Sequence, residues 1–582
     1  MLTTITKFRI LPLFIVAISA CAIFSGCSEQ KTDARRTAVA GGILTGGRFR
    51  INMIRGNPNG VDPAIINSKL SDDIALQIYD RLITFDSMLN VVPELATSWE
   101  ISPDGKRYTF HIRTDVFFHD NPCFPNGKGR RMTAADAAYS LARCADPTAK
   151  TVHFWAFKDK VSGANEFHAA RLRGDTATKL HGITAPDDST LIIKLERPYA
   201  PFLLMLANSF SCVVPHEATR FYGKDFFQHP VGTGPFVFVE WQHDRQMLLQ
   251  RNPHYWQRDG HGNQLPYLDG VTVSFIKDDK LQFNEFESGN LEECFTLPTE
   301  YADNIFVPNS RNLSPRFSHF ILQAKPAMLT WFCDFLCTKA PFDKPDVRRA
   351  FSYSIDREKI TRYVLRGMPF APALHGITPP VMPGYDISSI TGYDFNPAKA
   401  RELLSHAGYP NGKNFPEITL YIYQEPRLTQ VAEAVQQMLN ENLNIHISIK
   451  IVQFAELLDL AEQGKISFWG TRWYGDYPDP ENYLNLFDGS LVPVQPGLPS
   501  YPNSTRYRNA ESSAALAEAT QTLDANRRAE LYRRAESLAM ADAPAIMLFY
   551  EMHYRLLQPY TRNYPLDPMA RVVLKRAWLA EK

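Results

Sequence analysis

The sequence predicts an α/β protein with room for more than one lobe, and three observations carry that prediction. The chain has 582 residues, 45% hydrophobic and 21% charged, which is enough apolar material for two cores and excludes a disordered chain. In "PEITLYIY", Ile418, Leu420 and Ile422 alternate with Thr419, Tyr421 and Tyr423. Val431, Val435, Met438 and Leu439 then line a helix, and Ile445, Ile447, Ile449 and Ile451 alternate with His446, Ser448 and Lys450. Strand, helix and strand within about 35 residues make a βαβ unit, its strands parallel and its crossover right-handed. Upstream, "NPAKARELLSHAG" has Asn396 as N-cap, Pro397 in the first turn, a stripe of Ala400, Leu403, Leu404 and Ala407, and Gly408 just past the end. Those residues start and stop a helix.

At the front of the chain, Lys7 and Arg9 precede an apolar run over residues 10–24, broken only by Pro12 and Ser19. About 15 apolar residues fall short of the roughly 20 that span a bilayer and suit the apolar region of a signal peptide, so export is expected. The signal peptide is read as residues 1–26. "IFSGC" resembles the lipobox of bacterial lipoproteins: Ser25, Gly26 and Cys27 match, and Phe24 departs from the usual Leu. The resemblance implies a lipidated Cys27. The competing site is "ACA" at Ala20 to Ala22, which would release the chain without lipid. Residues 27–47 are poor in large apolar side chains and read as a flexible tether. Loss of residues 1–26 leaves 60 bases against 62 acids, and no block of five bases occurs. Nucleic acid is therefore not an expected partner.

"TSWEISPDGKRYTFHIR" alternates on both sides of Pro103, Asp104 and Gly105 and places Tyr108, Phe110 and Ile112 on one face, as a β-hairpin does. "TAAD", Thr133 to Asp136, is a capping box, and its helix must stop near Asp146 because Pro147 follows. "GTGPFVFVEW" suggests a nucleotide loop but lacks a third glycine and a following helix, so Phe236 to Val239 read as a strand. His111 and His119 read as strand-face or loop residues, and no metal site or cofactor is implied. No complete P-loop, HExxH or G-x-S-x-G motif is present. Beyond Cys21 and Cys27 stand Cys123, Cys144, Cys212, Cys294, Cys333 and Cys337, which permit 15 pairings. Cys333 and Cys337 on one strand would lie about 13 Å apart, too far to bond. Cys123 with Cys144 stays open, as a disulfide or as two core thiols.

Residues 471–487, "TRWYGDYPDPENYLNLF", set carboxylates among five aromatic rings in a Pro-interrupted loop. Rings left in water forgo roughly 1.5 to 3 kcal/mol each, so the loop is either buried or faces a ligand. It follows an apparent strand over residues 465–473, and ligands bind at such strand ends. Asp476, Trp473, Tyr474 and Tyr477 are the candidate ligand contacts, with Arg472 a possible protein partner for Asp476. The structural alternative is rings as core and carboxylates as caps. Asp476 and Asp479 could also be a hydrolase's carboxylate pair, but no nucleophile with a base lies nearby, and a binding protein is preferred to an enzyme.

"LATSWEISPDGKRYTFHIRTDVFFHD", "MTAADAAYSLARCADP", "GTGPFVFVEW", "RNPHYW", "YLDGVTV", "PFDKPDVRRAFSYSIDREKI", "YDFNPAKARELLSHAGYP" and "GDYPDPENYL" follow one another along the chain. Together they resemble the extracellular solute-binding proteins, family 5, of peptide- and nickel-type ABC transporters. The resemblance implies a two-lobed periplasmic-binding-protein-like fold with a hinge and an extra N-terminal subdomain. Lobe one would cover residues 48–320, with the subdomain at 76–180; lobe two 321–545; and a C-terminal return 546–582. It also implies a monomer that delivers a peptide or similarly sized ligand to an inner-membrane permease, held to the membrane by its N-terminal lipid. Asp476 matches the aspartate that holds the ligand ammonium in peptide-binding members, and Trp473 a pocket residue. Arg472 does not match their carboxylate-binding arginine. A nickel chelate, haem, an opine or a sugar are the alternative ligands, because fold does not fix function. "NPCFPNGKGRR" is an insertion relative to the family pattern.

Overall fold

The computed structural model describes residues 36–53, 58–308, 310–495 and 497–581. The signal peptide and Cys27 lie outside the described residues. Strand β1 (Arg48–Asn52) leads to helix α1 (Lys69–Ile78), and the expected hairpin follows as β2 (Ala96–Ile101) and β3 (Arg107–Ile112). Tyr108, Phe110 and Ile112 are all buried, as the alternation predicts. Helix α2 (Ala134–Ala145) has both halves of the capping box, with Thr133 N donating to Asp136 Oδ2 at 2.9 Å, and it ends before Pro147. Strands β4 (Ile183–Asp187) and β5 (Thr190–Lys194) complete an antiparallel sheet in the order β2-β3-β5-β4. Because β5 is interior to this sheet, the sheet runs past residue 180, where the subdomain was expected to end.

Strands β6 (Phe236–Gln242), β7 (Gln246–Arg251) and β8 (Gly270–Ser274) form a second sheet in which β1 pairs in parallel with β8 across more than 200 residues of sequence. The "GTG" glycines precede β6 for a packing reason. A Cβ on Gly232 would sit 2.2 Å from the Ile78 carbonyl oxygen, and one on Gly234 2.6 Å from the Ile78 carbonyl carbon. They let the chain lie against the end of α1. His119 is buried there, its backbone N–H donating to Gly232 O at 2.8 Å and its Nε2 lying 2.9 Å from Gly234 O. Burial pushes its imidazole down to about 4, so it is neutral at pH 7.

The largest sheet has seven strands. Along the chain these include β9 (Glu293–Cys294), β10 (Ile321–Phe335), β11 (Ile418–Tyr423), β12 (Ile447–Val452), β13 (Phe468–Tyr474) and β14 (Ala545–Leu557), in the order β9-β14-β10-β13-β11-β12. The predicted βαβ unit is present: β11 and β12 pair in parallel from Ile418↔Ile447 to Tyr423↔Val452, joined by the helix Pro426–Leu443. Ile451 departs from the expected buried face and is 51% exposed, because β12 is the sheet's edge.

Every residue of β14 is buried. Its partner β10 alternates between two cores. Leu329, Trp331, Cys333 and Phe335 enter one, with Leu420, Ile422 and Val435, whereas Met328 and Phe332 join the other, with Phe49, Val271 and Phe202. The β10–β14 ladder shifts register between Pro326 and Thr330, where the proline has no N–H to donate.

Cys123, Cys144, Cys212, Cys294, Cys333 and Cys337 are all free thiols. The open Cys123–Cys144 question therefore resolves as thiols: Cys144 Sγ lies 3.2 Å from Phe210 O within the core. Burial pushes the Cys144 thiol up to about 12, which suppresses the reactive thiolate. Titration of the denatured mature protein should read these six thiols without reductant, whereas a count of four would mean that one pair had oxidised.

Candidate functional site

The loop after β13 is organised by one carboxamide. Asn482, 5% exposed, lies in the short helix Glu481–Leu484 that follows the Pro-rich turn. Its Oδ1 accepts from Asp476 N at 3.0 Å and from Trp473 Nε1 at 2.9 Å, while its Nδ2 donates to Asp476 Oδ2 at 3.3 Å. Asn482 thus fixes the backbone, the carboxylate and the indole together.

Asp476 is exposed, yet protein surrounds it closely enough that burial raises its carboxyl to about 6. The Asn482 amide opposes this shift, and the neighbouring charges of Asp72 and Glu481 reinforce it. Asp72 comes from α1, so the charge of an acid from the front half of the chain reaches Asp476.

The pairing of Asp476 with Arg472, considered from sequence, does not form. Arg472 stacks 4.9 Å over Trp331 and 5.7 Å over Tyr423. Strand alternation explains this, since side chains four residues before a loop carboxylate follow the pleat of β13 rather than the turn. Beside it, Arg427 bonds Glu551 at 3.0 Å, and Trp331 Nε1 donates to the same carboxylate at 2.9 Å. Among the described residues, Asp476 makes no ion pair.

The other predicted residues divide. The Trp473 ring is half-buried and lies 6.4 Å from the Tyr501 ring. Tyr474 is also half-buried; its hydroxyl lies 3.1 Å from His553 Nε2, and burial lowers that imidazole to about 4. Tyr477 is 2% exposed and packs in the core, where its hydroxyl donates to Glu481 Oε2. The same carboxylate accepts from Tyr199 at 2.6 Å, so Tyr477 and Tyr199 are tied together through Glu481. Asp479 is 4% exposed and accepts from Glu481 N at 3.0 Å. Asp479 is thus buried where Asp476 is exposed.

Asn482 and Tyr501 were not anticipated. An Asn–Tyr step in a loop carries no distinguishing pattern, and Tyr501 lies 25 positions beyond Asp476, joined to it only by the fold.

One edge of β13 bonds β10 from Tyr474↔Leu329 to Phe468↔Phe335. On the other edge β11 pairs only at Trp469. β11 runs on to Tyr423 alongside Gly470 and Thr471, with Ile422 Cγ2 3.1 Å from where a Gly470 Cβ would stand, and among the described strands residues 472–474 extend past its end toward Asp476.

Two cores thus share a mixed sheet, and a partly enclosed carboxylate stands just past the end of one of its strands. The model of "Bacterial extracellular solute-binding proteins, family 5 Middle" matches residues 90–495, and the chain belongs to that family. "Heme-binding protein A" of Haemophilus influenzae is 26% identical over 94% of this chain and 96% of that protein. The "Dipeptide-binding protein" of Escherichia coli K12 is 26% identical over 89% and 92%. DppA of Helicobacter pylori, solved with the peptide STSA, superposes with a TM-score of 0.75 at 24% identity over 92% of this chain and 99% of that one. Among the described residues no helix is long and apolar enough to cross a membrane, and no cluster of His, Cys, Asp or Glu could hold a metal ion.

The raised carboxyl of Asp476 predicts a pH dependence. Between the ordinary value of 3.8 and about 6 the folded state holds a proton that the unfolded state has lost, so Asp476 costs stability increasingly as pH rises through that window. Below about 4 the cost vanishes. Solvent access limits it to about 1 kcal/mol. The difference between wild-type and Asp476→Asn melting curves should therefore be near zero at pH 4 and favour the variant at pH 7. A variant that melts lower at pH 7 would refute the assignment.

Proposed function

We propose that the protein captures a peptide, or a solute of similar size bearing an ammonium group, between its lobes and delivers it to an inner-membrane permease. The observation that carries this reading is Asp476: enclosed, solvent-accessible, without an ion-pair partner among the described residues, and just past the end of β13. A ligand ammonium would supply the charge that burial makes costly to leave unpaired. An extended ligand backbone would add to the edge of residues 472–474, past the end of β11, giving affinity that tolerates varied side chains. Trp473 and Tyr474 would then be ligand contacts, and Tyr477 a support behind them. The relatives' names include dipeptide, glutathione and haem binding, so membership alone does not choose the ligand. An unpaired carboxylate favours the amine-bearing class over haem, a nickel chelate or a sugar. We further propose a lipid anchor at Cys27, a periplasmic location, action as a monomer and no catalysis.

Asp476→Asn keeps the shape and removes the charge. Titration calorimetry with a short peptide should show affinity falling by roughly 2 to 5 kcal/mol, because a buried ligand cation loses its partner. Unchanged affinity would sink the ammonium reading.

Lipidation is tested separately by intact mass. The mature chain should begin at Cys27 carrying acyl chains, and a chain beginning at Ile23 would show cleavage after the "ACA" site instead.

A further inference from the structure

A groove of about 390 Å³ is lined by the helices Pro345–Ser354, Pro397–His406 and Ala525–Ala541 and by residues 389–393, and it shares no residue with the site around Asp476. That volume lies within the roughly 300 to 1,000 Å³ of small-molecule sites. Its walls are held by bonds made outside the groove. The Tyr393 hydroxyl donates to Met540 O at 2.9 Å, and the Tyr393 carbonyl accepts from buried Arg357 at 3.0 Å. Asn396 N donates to Tyr353 O at 2.8 Å, and Asn396 Oδ1 caps the next helix by accepting from Lys399 N at 3.1 Å. Gly392 lets the chain between them lie close against its neighbours, since a Cβ there would sit 2.2 Å from the Leu374 carbonyl oxygen.

The two cations on the groove differ. Arg349 is neutralised: it bonds Asp346 at 3.1 Å and Asp542 at 3.3 Å, and its Nε donates to Ala541 O at 2.8 Å. Lys399 makes no ion pair among the described residues; its Nζ donates to the Tyr353 hydroxyl at 2.8 Å and lies 4.4 Å from the centroid of that ring. That bond, with the more distant charges of Asp394 and Glu402, raises the pKa of the ammonium, so Lys399 is charged at neutral pH. Lys399 Nζ has two further protons to give and the Tyr353 hydroxyl has one. The hydroxyls of Thr391 and Ser537 also make no hydrogen bond among the described residues. Beside these donors stand apolar surfaces: the Tyr393 ring, 4.8 Å from that of Tyr353 and inclined at 75°, and Leu403.

We propose that this groove is a second binding site, for a small organic carboxylate with an apolar body. One carboxylate oxygen would accept from Lys399 Nζ and the other from the Tyr353 hydroxyl, with the body against Tyr393 and Leu403. A single free cation matches a single negative charge, which favours a carboxylate over a dianionic phosphate. Asp394 and Glu402 oppose an incoming anion and solvent reaches Lys399, so the affinity is modest. The site is independent of whatever Asp476 holds.

The test is a saturation-transfer NMR titration of the mature protein with 3-phenylpropionate and with its neutral isostere 3-phenylpropionamide, in wild type, Lys399→Gln and Tyr353→Phe. Wild type should bind the acid about fivefold more tightly than the amide. Lys399→Gln should erase that preference by bringing the acid to the affinity of the amide. Tyr353→Phe should weaken the acid about threefold and leave the amide within about twofold. Lys399 is exposed and Tyr353→Phe keeps the ring, so both variants should melt as wild type does. Absence of acid binding to wild type, equal binding of acid and amide, or a preference for the acid that survives Lys399→Gln overturns the proposal, and so does acid affinity unchanged in Tyr353→Phe.

Discussion

The pairing of β10 with β14 is the constraint on which the rest depends. These strands come from distant parts of the chain, and their ladder runs from Ile321↔Leu557 to Asp334↔Ala545 with shifts at Pro326 and after Trp331. A strand has two faces, and β10 gives one to each core, so both cores are bound to the same backbone. The site follows from that arrangement. β13 takes its place against β10, its last residues run past the end of β11, and the chain leaves it at the boundary between the cores.

At that boundary the protein balances burial against charge. Glu481 and Asn482 are buried and hydrogen-bonded: the first accepts from Tyr199 and Tyr477, the second joins Trp473 to Asp476. These contacts satisfy the polar groups that a Pro-interrupted loop cannot satisfy by regular structure. Asp476 alone faces solvent with a charge that its surroundings disfavour. Nearby cations are otherwise engaged, Arg427 with Glu551 and Arg472 over Trp331. An unpaired charge in an otherwise satisfied loop is a local inconsistency, and under the proposed function a ligand ammonium would resolve it.

Much of the candidate site was legible before the fold was known. Asp476, Trp473 and Tyr474 could be nominated because large rings beside acids in a loop after a strand gain stability only by burial or by contact with a ligand. Tyr477 could not be separated from them. Its ring type matches theirs, and only the turn through Pro478 and Pro480 sends it into the core beside Tyr199. Asn482 and Tyr501 were invisible for complementary reasons: the first acts through hydrogen bonds that any surface Asn could make, the second through a contact across 28 residues of chain with Trp473.

The sequence by itself determined the α/β class, the hairpin, the capped helix at Thr133 and the βαβ unit, because each is written in periodicity and caps within a few dozen residues. It also determined that "GTG" is no phosphate loop. What those glycines do instead was decided by the close approach of the Ile78 carbonyl. Tertiary structure alone decided that the six described cysteines stay thiols, that Arg472 turns from Asp476 onto Trp331, and that Asp479 is buried while Asp476 is open. The physical reason is common to all of these. Local pattern states what a residue can do, but pairing, burial and ionisation depend on which distant side chain arrives within a few ångströms, and only the packed chain sets that distance.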